Sequence, residues 1–318
     1  MLQSARLTLK QHRFEVGAGA LAMVLVGAAA LWVNSRLLEV IVPSGCFEAW
    51  TTQGPFGIGP ECEVPVRRFG EINENEAGKV LAAMAILPIA AGILAGVALI
   101  GRELEARTAQ TAWGLAASRR RWFARQLWPI LVVLGATVTF AAFSASILET
   151  TRRVSYSYPY MDLGLYGPIA VARTFAALGL GLFVGAALGR TLPAFIIGAV
   201  LSFVLVSTAG PASYQWASAQ PRVVLAGADA DTGMSFDSRW RAPDGQLLTE
   251  EDVTALAPAG QPDGPWQWLN DHGYETVSLG ITAETARGWE PIEIAGFTVL
   301  GIVLVLGTVV VVDRRRPT

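Results

Sequence analysis

Two apolar runs, Val80–Ile100 and Leu127–Leu148, are each long enough to cross a bilayer as a helix, and the stretch between them is polar and basic. That stretch, Arg102–Gln126, holds six arginines against two acids, Glu103 and Glu105. Short loops that stay in the cytoplasm carry this excess of Arg and Lys. The pattern predicts a cytoplasmic linker between two membrane spans, and it sets the sidedness of everything before and after it. The same linker offers a soluble partner a patterned surface, with Trp113 and Trp122 beside Ser118-Arg119-Arg120-Arg121.

Composition agrees with a membrane protein. The 318 residues are 52% hydrophobic and 16% charged, with a mean hydropathy of +0.42. Soluble domains carry roughly 25% charged residues, and the deficit here is concentrated in a few long uncharged runs. The net charge of −2 says nothing about partners until it is mapped by side of the membrane; no nucleic-acid partner is expected. Of the 24 basic residues, 22 are Arg, which reads as codon bias in a GC-rich bacterial genome. The two histidines, His12 and His272, lie far apart, so no histidine-rich metal site is available.

Taken in order, residues 1–15 read as a basic amphipathic helix at the membrane surface, with Arg6, Lys10 and Arg13 among Leu2, Leu7, Leu9 and Phe14. The first span is residues 16–34. The alternative is a signal peptide cleaved after Ala28-Ala29-Ala30, which the length of the run and the spans that follow disfavour. Residues 35–76 form an outer loop rich in Pro, Gly and Glu. In that location Cys46 and Cys62 are either bridged or left as two free thiols, since their spacing permits both. The second span, 77–101, contains Pro88. The linker 102–126, the third span 127–148 and an outer loop at 149–162 follow. Arg152 and Arg153 in that loop run against the charge rule. The fourth span, 163–188, carries Gly181 and Gly185 in a G-x-x-x-G that lets another helix approach closely. The fifth span is 191–209. Residues 210–291 form an extracellular segment in which acids outnumber arginines three to one, read as turns and helix starts. The sixth span, 292–312, ends in a cytoplasmic tail at 313–318. The expectation is an all-α polytopic membrane protein with six transmembrane helices and both termini cytoplasmic.

No G-x-x-x-x-G-K-[ST], nucleophile elbow, HExxH or Cys-x-x-Cys occurs, and the expectation is a chain that itself binds no cofactor and carries no catalytic or metal residues. Inside the spans Arg173 is the main charge. An intramembrane charge is a functional candidate; its alternatives are snorkelling outward or pairing with Asp162 or Glu149.

Three stretches, in this order, resemble the permease subunits of type-2 ATP-binding-cassette exporters found in high-GC bacteria. Leu7-Thr8-Leu9-Lys10-Gln11-His12-Arg13 is similar to the family's entry segment, a hydrophobic residue followed by Thr-Trp-Arg-Gln-His-Arg. Leu9 and Lys10 here replace the Trp and Arg. Arg102–Thr108, Ala112-Trp113 and Ser118-Arg119-Arg120-Arg121-Trp122 resemble its cytoplasmic signature, with a Glu three residues before a Thr, a Trp and a Ser-Arg-x-Arg-Trp. Arg107 stands where that signature has Gly. Gly167-Pro168, Ala177-Leu178-Gly179, Gly185, Gly189-Arg190-Thr191 and Pro193-Ala194 resemble its fourth-to-fifth-span pattern, with Arg173 in place of an aromatic or apolar residue.

The resemblance implies a non-catalytic, six-span half-transporter in the bacterial plasma membrane. It would pair with a second permease copy or homologue and with cytoplasmic ATPase subunits that hold the ATP and Mg. The loop between spans two and three would couple to them. A plausible layout continues the second helix through Glu103 and Glu105 to about Thr111, breaks near Gly114, and restarts with Ser118 as N-cap. Trp113 and Leu115 then sit at the tip, and Glu103, Glu105, Thr108, Ser118, Arg119, Arg121 and Trp122 complete the coupling set. For Arg119–Arg121 and Trp122 the alternative is anchoring to lipid headgroups. The rival functions are a membrane sensor or assembly protein that reads ligands with its extracellular segment, and a membrane-embedded enzyme. The enzyme is disfavoured by the absence of an acid–base or metal cluster.

Overall fold

The computed structural model describes residues 12–46, 59–108, 113, 118–152, 166–225, 233–256 and 264–315. Contacts divide the chain into two units, one of residues 1–156, 162–209 and 292–318, the other of residues 157–161 and 210–291.

The first unit is helical. Its elements are α1 (Arg13–Ser44), a 3-10 turn (Pro60–Cys62), α2 (Glu63–Ile72), a π turn (Asn73–Ala77), α3 (Gly78–Glu105), α4 (Arg119–Arg152) and α5 (Gly167–Leu188). It also takes in most of α6 (Thr191–Ser218) and α10 (Trp289–Arg314). Among the described residues six helices are long and apolar enough to cross a membrane. They contain α1, α3, α4, α5, α6 and α10, and so match the six expected runs in number and order. Several outlast those runs. α1 continues ten residues past the expected end of the first span, and the supposed outer loop re-enters helix at Glu63. Polar residues extend a helix wherever it still has an apolar face to bury. Phe69 and Ile72 supply one here, packing with Leu37 and Leu148.

Side-chain pairs fix the direction of each helix. Along α1 and α4, positions rise together, Gly27 beside Ala141 and Asn34 bonded to Thr151. The same holds for α3 with α5 (Gly92 beside Thr174, Gly96 beside Leu178) and for α5 with α10 (Arg173 with Glu293, Gly179 with Gly301). Between α1 and α3 they oppose, since Glu15 meets Arg102 while Arg36 meets Glu76. The spanning helices therefore alternate, and residues 12–15, 102–108, 118–121, 191 and 312–315 gather at one end of the bundle, called here the basic end.

α3 and α5 form the centre. Gly92 and Gly96 on α3 lie against the backbone of α5 at Thr174, Leu178 and Gly181, Gly181 and Gly185 on α5 lie against that of α3 at Ile93 and Val97, and a Cβ added at Gly96 would lie 2.4 Å from the Leu178 carbonyl oxygen. Two G-x-x-x-G motifs, only one of which the sequence reading singled out, thus bring two backbones together.

At the opposite end a polar network joins α1, the π turn and α4. Arg36 pairs with Glu76 at 2.6 Å, Thr151 donates to Asn34 at 2.6 Å, and Arg152 donates to Asn73 Oδ1 at 2.5 Å and to Glu149 Oε2 at 3.0 Å. Arg152, which runs against the charge rule, is thus matched by a buried carboxylate. Nearby, Cys46 and Cys62 are joined by a disulfide with Cα atoms 5.5 Å apart.

The second unit corrects the all-α expectation. It holds a four-stranded antiparallel sheet in the order β1-β4-β2-β3, from β1 (Val223–Leu225), β2 (Met234–Arg241), β3 (Leu247–Leu248) and β4 (Glu275–Ile281). Three short helices accompany it: α7 (Glu250–Leu256), α8 (Gly264–Asp271) and α9 (Ala283–Arg287). The signal was present in period two: Val277, Leu279 and Ile281 alternate with Ser278 and Gly280, and Met234, Phe236 and Trp240 share a similar rhythm across a bulge near Phe236. Trp240, Val253 and Leu269 form one small core, and Ala217, Ile281 and Ala286 another. The expected turn and helix starts are there as well. Gly245 takes φ +89°, and Thr249 and Asp252 close a capping box in which the Thr249 hydroxyl and amide hold the Asp252 carboxyl below its usual range.

Candidate functional site

At the basic end, α3 stops at Glu105 rather than running to Thr111. The Ala106 N–H donates to the Arg102 carbonyl at 2.9 Å and the Arg107 N–H to that of Leu104 at 3.2 Å. Arg107 then takes φ +58°, the one non-glycine with positive φ among the described residues. A left-handed residue just past a helix end satisfies the last carbonyls, and glycine is the usual occupant because it has no Cβ to clash. Arg107 thus adopts the backbone that the resembled signature assigns to Gly. Arg107→Gly is expected to raise stability by about 1 kcal/mol, read as a higher melting temperature in detergent.

The turn sends Thr108 back onto the helix. Its hydroxyl donates to Glu103 Oε2 at 2.5 Å and reaches the Glu103 carbonyl at 3.2 Å, and Glu103 is only 5% exposed. Glu105, three residues before Thr108, turns elsewhere: its Oε2 accepts from both the amide (2.9 Å) and the hydroxyl (2.6 Å) of Thr191 at the start of α6. A carboxylate at a helix N-terminus satisfies amides that have no partner in the helix and complements the helix dipole.

The linker resumes at Ser118, whose Oγ accepts from the Arg121 N–H at 3.2 Å, an N-cap bond to the third residue of α4. Trp113 is not a projecting tip. Its ring meets Trp122 edge-on with centroids 6.0 Å apart, Arg119 lies 4.8 Å above it, and both tryptophans pack against the main core. Arg121 is exposed; Leu115 lies outside the described residues.

Arg119 is committed inside the molecule rather than to lipid. Its Nη1 faces the carbonyls of Val312 (3.3 Å), Asp313 (3.1 Å) and Arg315 (2.6 Å), the end of α10. Arg120 pairs with Asp313 at 2.7 Å. Arg315 Nη1 in turn donates at 2.5 Å to the Ala186 carbonyl, near the end of α5. On the other side of the bundle base, Arg102 pairs with Glu15 of α1 at 2.7 Å. His12, 1% exposed at the start of α1, lies beside Gln126, Glu15 and Glu103. Burial pushes its pKa below the ordinary imidazole value, against the opposing pull of Glu15 and Glu103.

Arg173 has a different partner from those expected. Its Nε and Nη2 lie 2.9 and 2.5 Å from Glu293 Oε1, both side chains are buried, and the Phe297 ring sits 5.6 Å from the guanidinium. Glu149 is engaged with Arg152 instead. Glu293 was the missed residue, and the signal was an acid two positions into the sixth apolar run. Glu15, an acid within a basic entry segment, and Thr191, a capping residue just before Pro193, were legible in the same way.

No group of three or more His, Cys, Asp or Glu side chains among the described residues is placed to hold a metal. What the arrangement can do is mechanical. One basic linker is bonded at its base or its end to α1, α6 and α10, and through Arg315 to α5. No curated protein and no solved structure matches the chain. Residues 20–213, more than half of its length and including the whole linker, match the profile of one family, described as ABC-2 membrane transporter related, and to that family the chain belongs.

Proposed function

We propose that this chain is the transmembrane permease subunit of an ATP-driven exporter, coupled to a separate cytoplasmic ATPase through residues 102–126. Family membership supports a transporter permease, a non-catalytic membrane component that works with an ABC ATPase. In this reading the basic end faces the cytoplasm of a bacterium, as the excess of arginine requires. Residues 35–76 and 210–291 are outside, and ATP and Mg sit on the partner. A second copy or a homologue completes the pathway.

The observation that carries the coupling assignment is the bonding at the linker's base. A force applied to Arg102–Gln126 acts on α3 and α4 directly. It acts on α1 through Arg102–Glu15, on α6 through Glu105–Thr191 and on α10 through Arg119. A partner ATPase that closes on ATP needs such a contacting element, and Glu103, Thr108 and the Trp113–Trp122 pair give this one a fixed shape.

The first test is a mild-detergent affinity purification with mass spectrometry of what accompanies the chain. A stoichiometric Walker-motif ATPase is expected. Its clean absence, with a sensor kinase or another regulator in its place, overturns the exporter reading in favour of a sensor or assembly protein. Within the complex, Glu105→Arg and Trp113→Ala are each expected to abolish substrate-coupled ATP hydrolysis while leaving membrane insertion intact. Unchanged hydrolysis in both variants counts against the linker.

A further inference from the structure

Helices α5 and α10 are held together along their shared length. At the far end stands the buried Arg173–Glu293 pair. In the middle, Gly179 and Gly301 bring the backbones into contact, a Cβ on Gly179 lying 2.9 Å from the Gly301 oxygen, and Phe183 lies against Gly307. At the basic end Arg315 reaches the Ala186 carbonyl, passing under Gly189, whose φ of +64° ends α5 in the left-handed turn that exposes that carbonyl. A side chain at Gly189 would strike the Arg315 guanidinium, 2.5 Å from an added Cβ.

The two helices differ in everything else. Of the apolar window, 83% is buried in α5 and 17% in α10. The buried residues of α10 form the stripe Glu293, Phe297, Gly301, Thr308 and Val312, and on that stripe Glu293 and Gly301 meet α5. A helix attached along one stripe and bonded at both ends moves with its neighbour as one body. The last carbonyls of a helix have no partner within it and are an acceptor site for arginine. On α10 that site is filled by Arg119, from the linker. The –NH₂ group has two hydrogens for the three carbonyls it faces, so it holds the helix end as a cap rather than at a single atom.

We propose that α5 and α10 form one clasped pair which the linker drives through Arg119, making Arg119 a positioning residue of the coupling step and the Asp313–Arg315 tail a part of the coupling unit rather than a membrane stop. This rests on the coupling reading above. The relay has an order: Arg119 holds the end of α10, and Arg315, carried by that end, holds the end of α5. Among the described residues Arg119 itself makes no hydrogen bond to α5, so the hydrogen-bonded route from it to Ala186–Arg190 runs through Arg315.

The test is amide hydrogen exchange on the full chain in nanodiscs, comparing wild type, Arg119→Ala, Arg119→Lys and Arg315→Ala, alongside ATP hydrolysis by the complex with its co-purified ATPase. Arg119→Ala is expected to speed exchange about tenfold over residues 311–315 and also over 186–190, with Lys restoring part of the protection. Arg315→Ala is expected to speed exchange over 186–190. Hydrolysis falls in both Ala variants while the amount of bound ATPase is unchanged. Faster exchange confined to 311–315 in Arg119→Ala overturns the relay. Loss of bound ATPase in that variant also overturns it, placing Arg119 on the partner's surface. If no ATPase accompanies the wild-type chain, the coupling reading fails by itself, and the exchange result still decides whether the clasp exists.

Discussion

Replacing Glu293 by Leu is expected to cost about 3–5 kcal/mol. Arg173 and Glu293 are 8% and 6% exposed, and the guanidinium is held by two bonds to one carboxylate oxygen. Truncating the acid leaves the Arg173 guanidinium buried without the carboxylate that compensates its charge. The Phe297 face at 5.6 Å offsets only part of that, since a cation–π contact supplies roughly 1–2 kcal/mol. The double variant Arg173→Met with Glu293→Leu removes both charges and their desolvation together. It is expected to recover most of the loss, because a buried pair and an apolar pair of similar volume are often close in energy. Thermal unfolding in detergent checks this, with a drop on the order of 10 °C for the single change and a small one for the double. Equal losses in the single and double variants show instead that the pair carries net stability, and a small loss in Glu293→Leu means that water reaches Arg173.

The same pair shows what the sequence could and could not tell. Number and order of the spanning helices were legible because hydropathy reports a helix's environment. Arg173 was legible as an intramembrane charge. Its partner was not, because helices 120 residues apart in sequence meet only through packing, which no local pattern encodes. Ser118 was readable as a cap since capping is local, as is the left-handed turn at Arg107, where the resemblance called for glycine. Glu105 was legible as a residue of the linker but not as the cap of α6, a contact across 86 positions. The sheet of residues 223–281 was a different failure. Its alternation was on the page, but the turn residues around it suggested loop, and strands as short as β1 and β3 carry little period of their own. Arg119 shows a subtler limit: basic residues beside a membrane span fit headgroups, partners and helix ends equally well, and only geometry separates these.

Gly96→Leu is expected to prevent folding outright, and even Gly96→Ala to cost about 1–3 kcal/mol. The reason lies in what the new atom meets. A Cβ at Gly96 would lie 2.4 Å from the Leu178 oxygen, 2.8 Å from the Leu182 nitrogen and 3.1 Å from the Gly181 carbonyl carbon, all backbone. α5 cannot yield there without separating from α3 along the whole stretch where Gly92, Gly96, Gly181 and Gly185 interlock. Gly301 is the instructive contrast, since its added Cβ would meet chiefly the Phe175 ring, at 2.4 Å, a side chain able to turn aside or be shortened. Phe175→Leu should therefore rescue Gly301→Ala in part, whereas Leu178→Ala should do nothing for Gly96→Ala, because the obstructing atoms remain. Gly135→Ala, with nothing within 4 Å of its added Cβ, serves as the tolerated control on α4. Size-exclusion profiles and melting temperatures of the six variants decide the matter. Rescue of Gly96→Ala by Leu178→Ala would mean that side chains, not backbones, set the distance between α3 and α5, and the glycine motif would then lose its place at the centre of the fold.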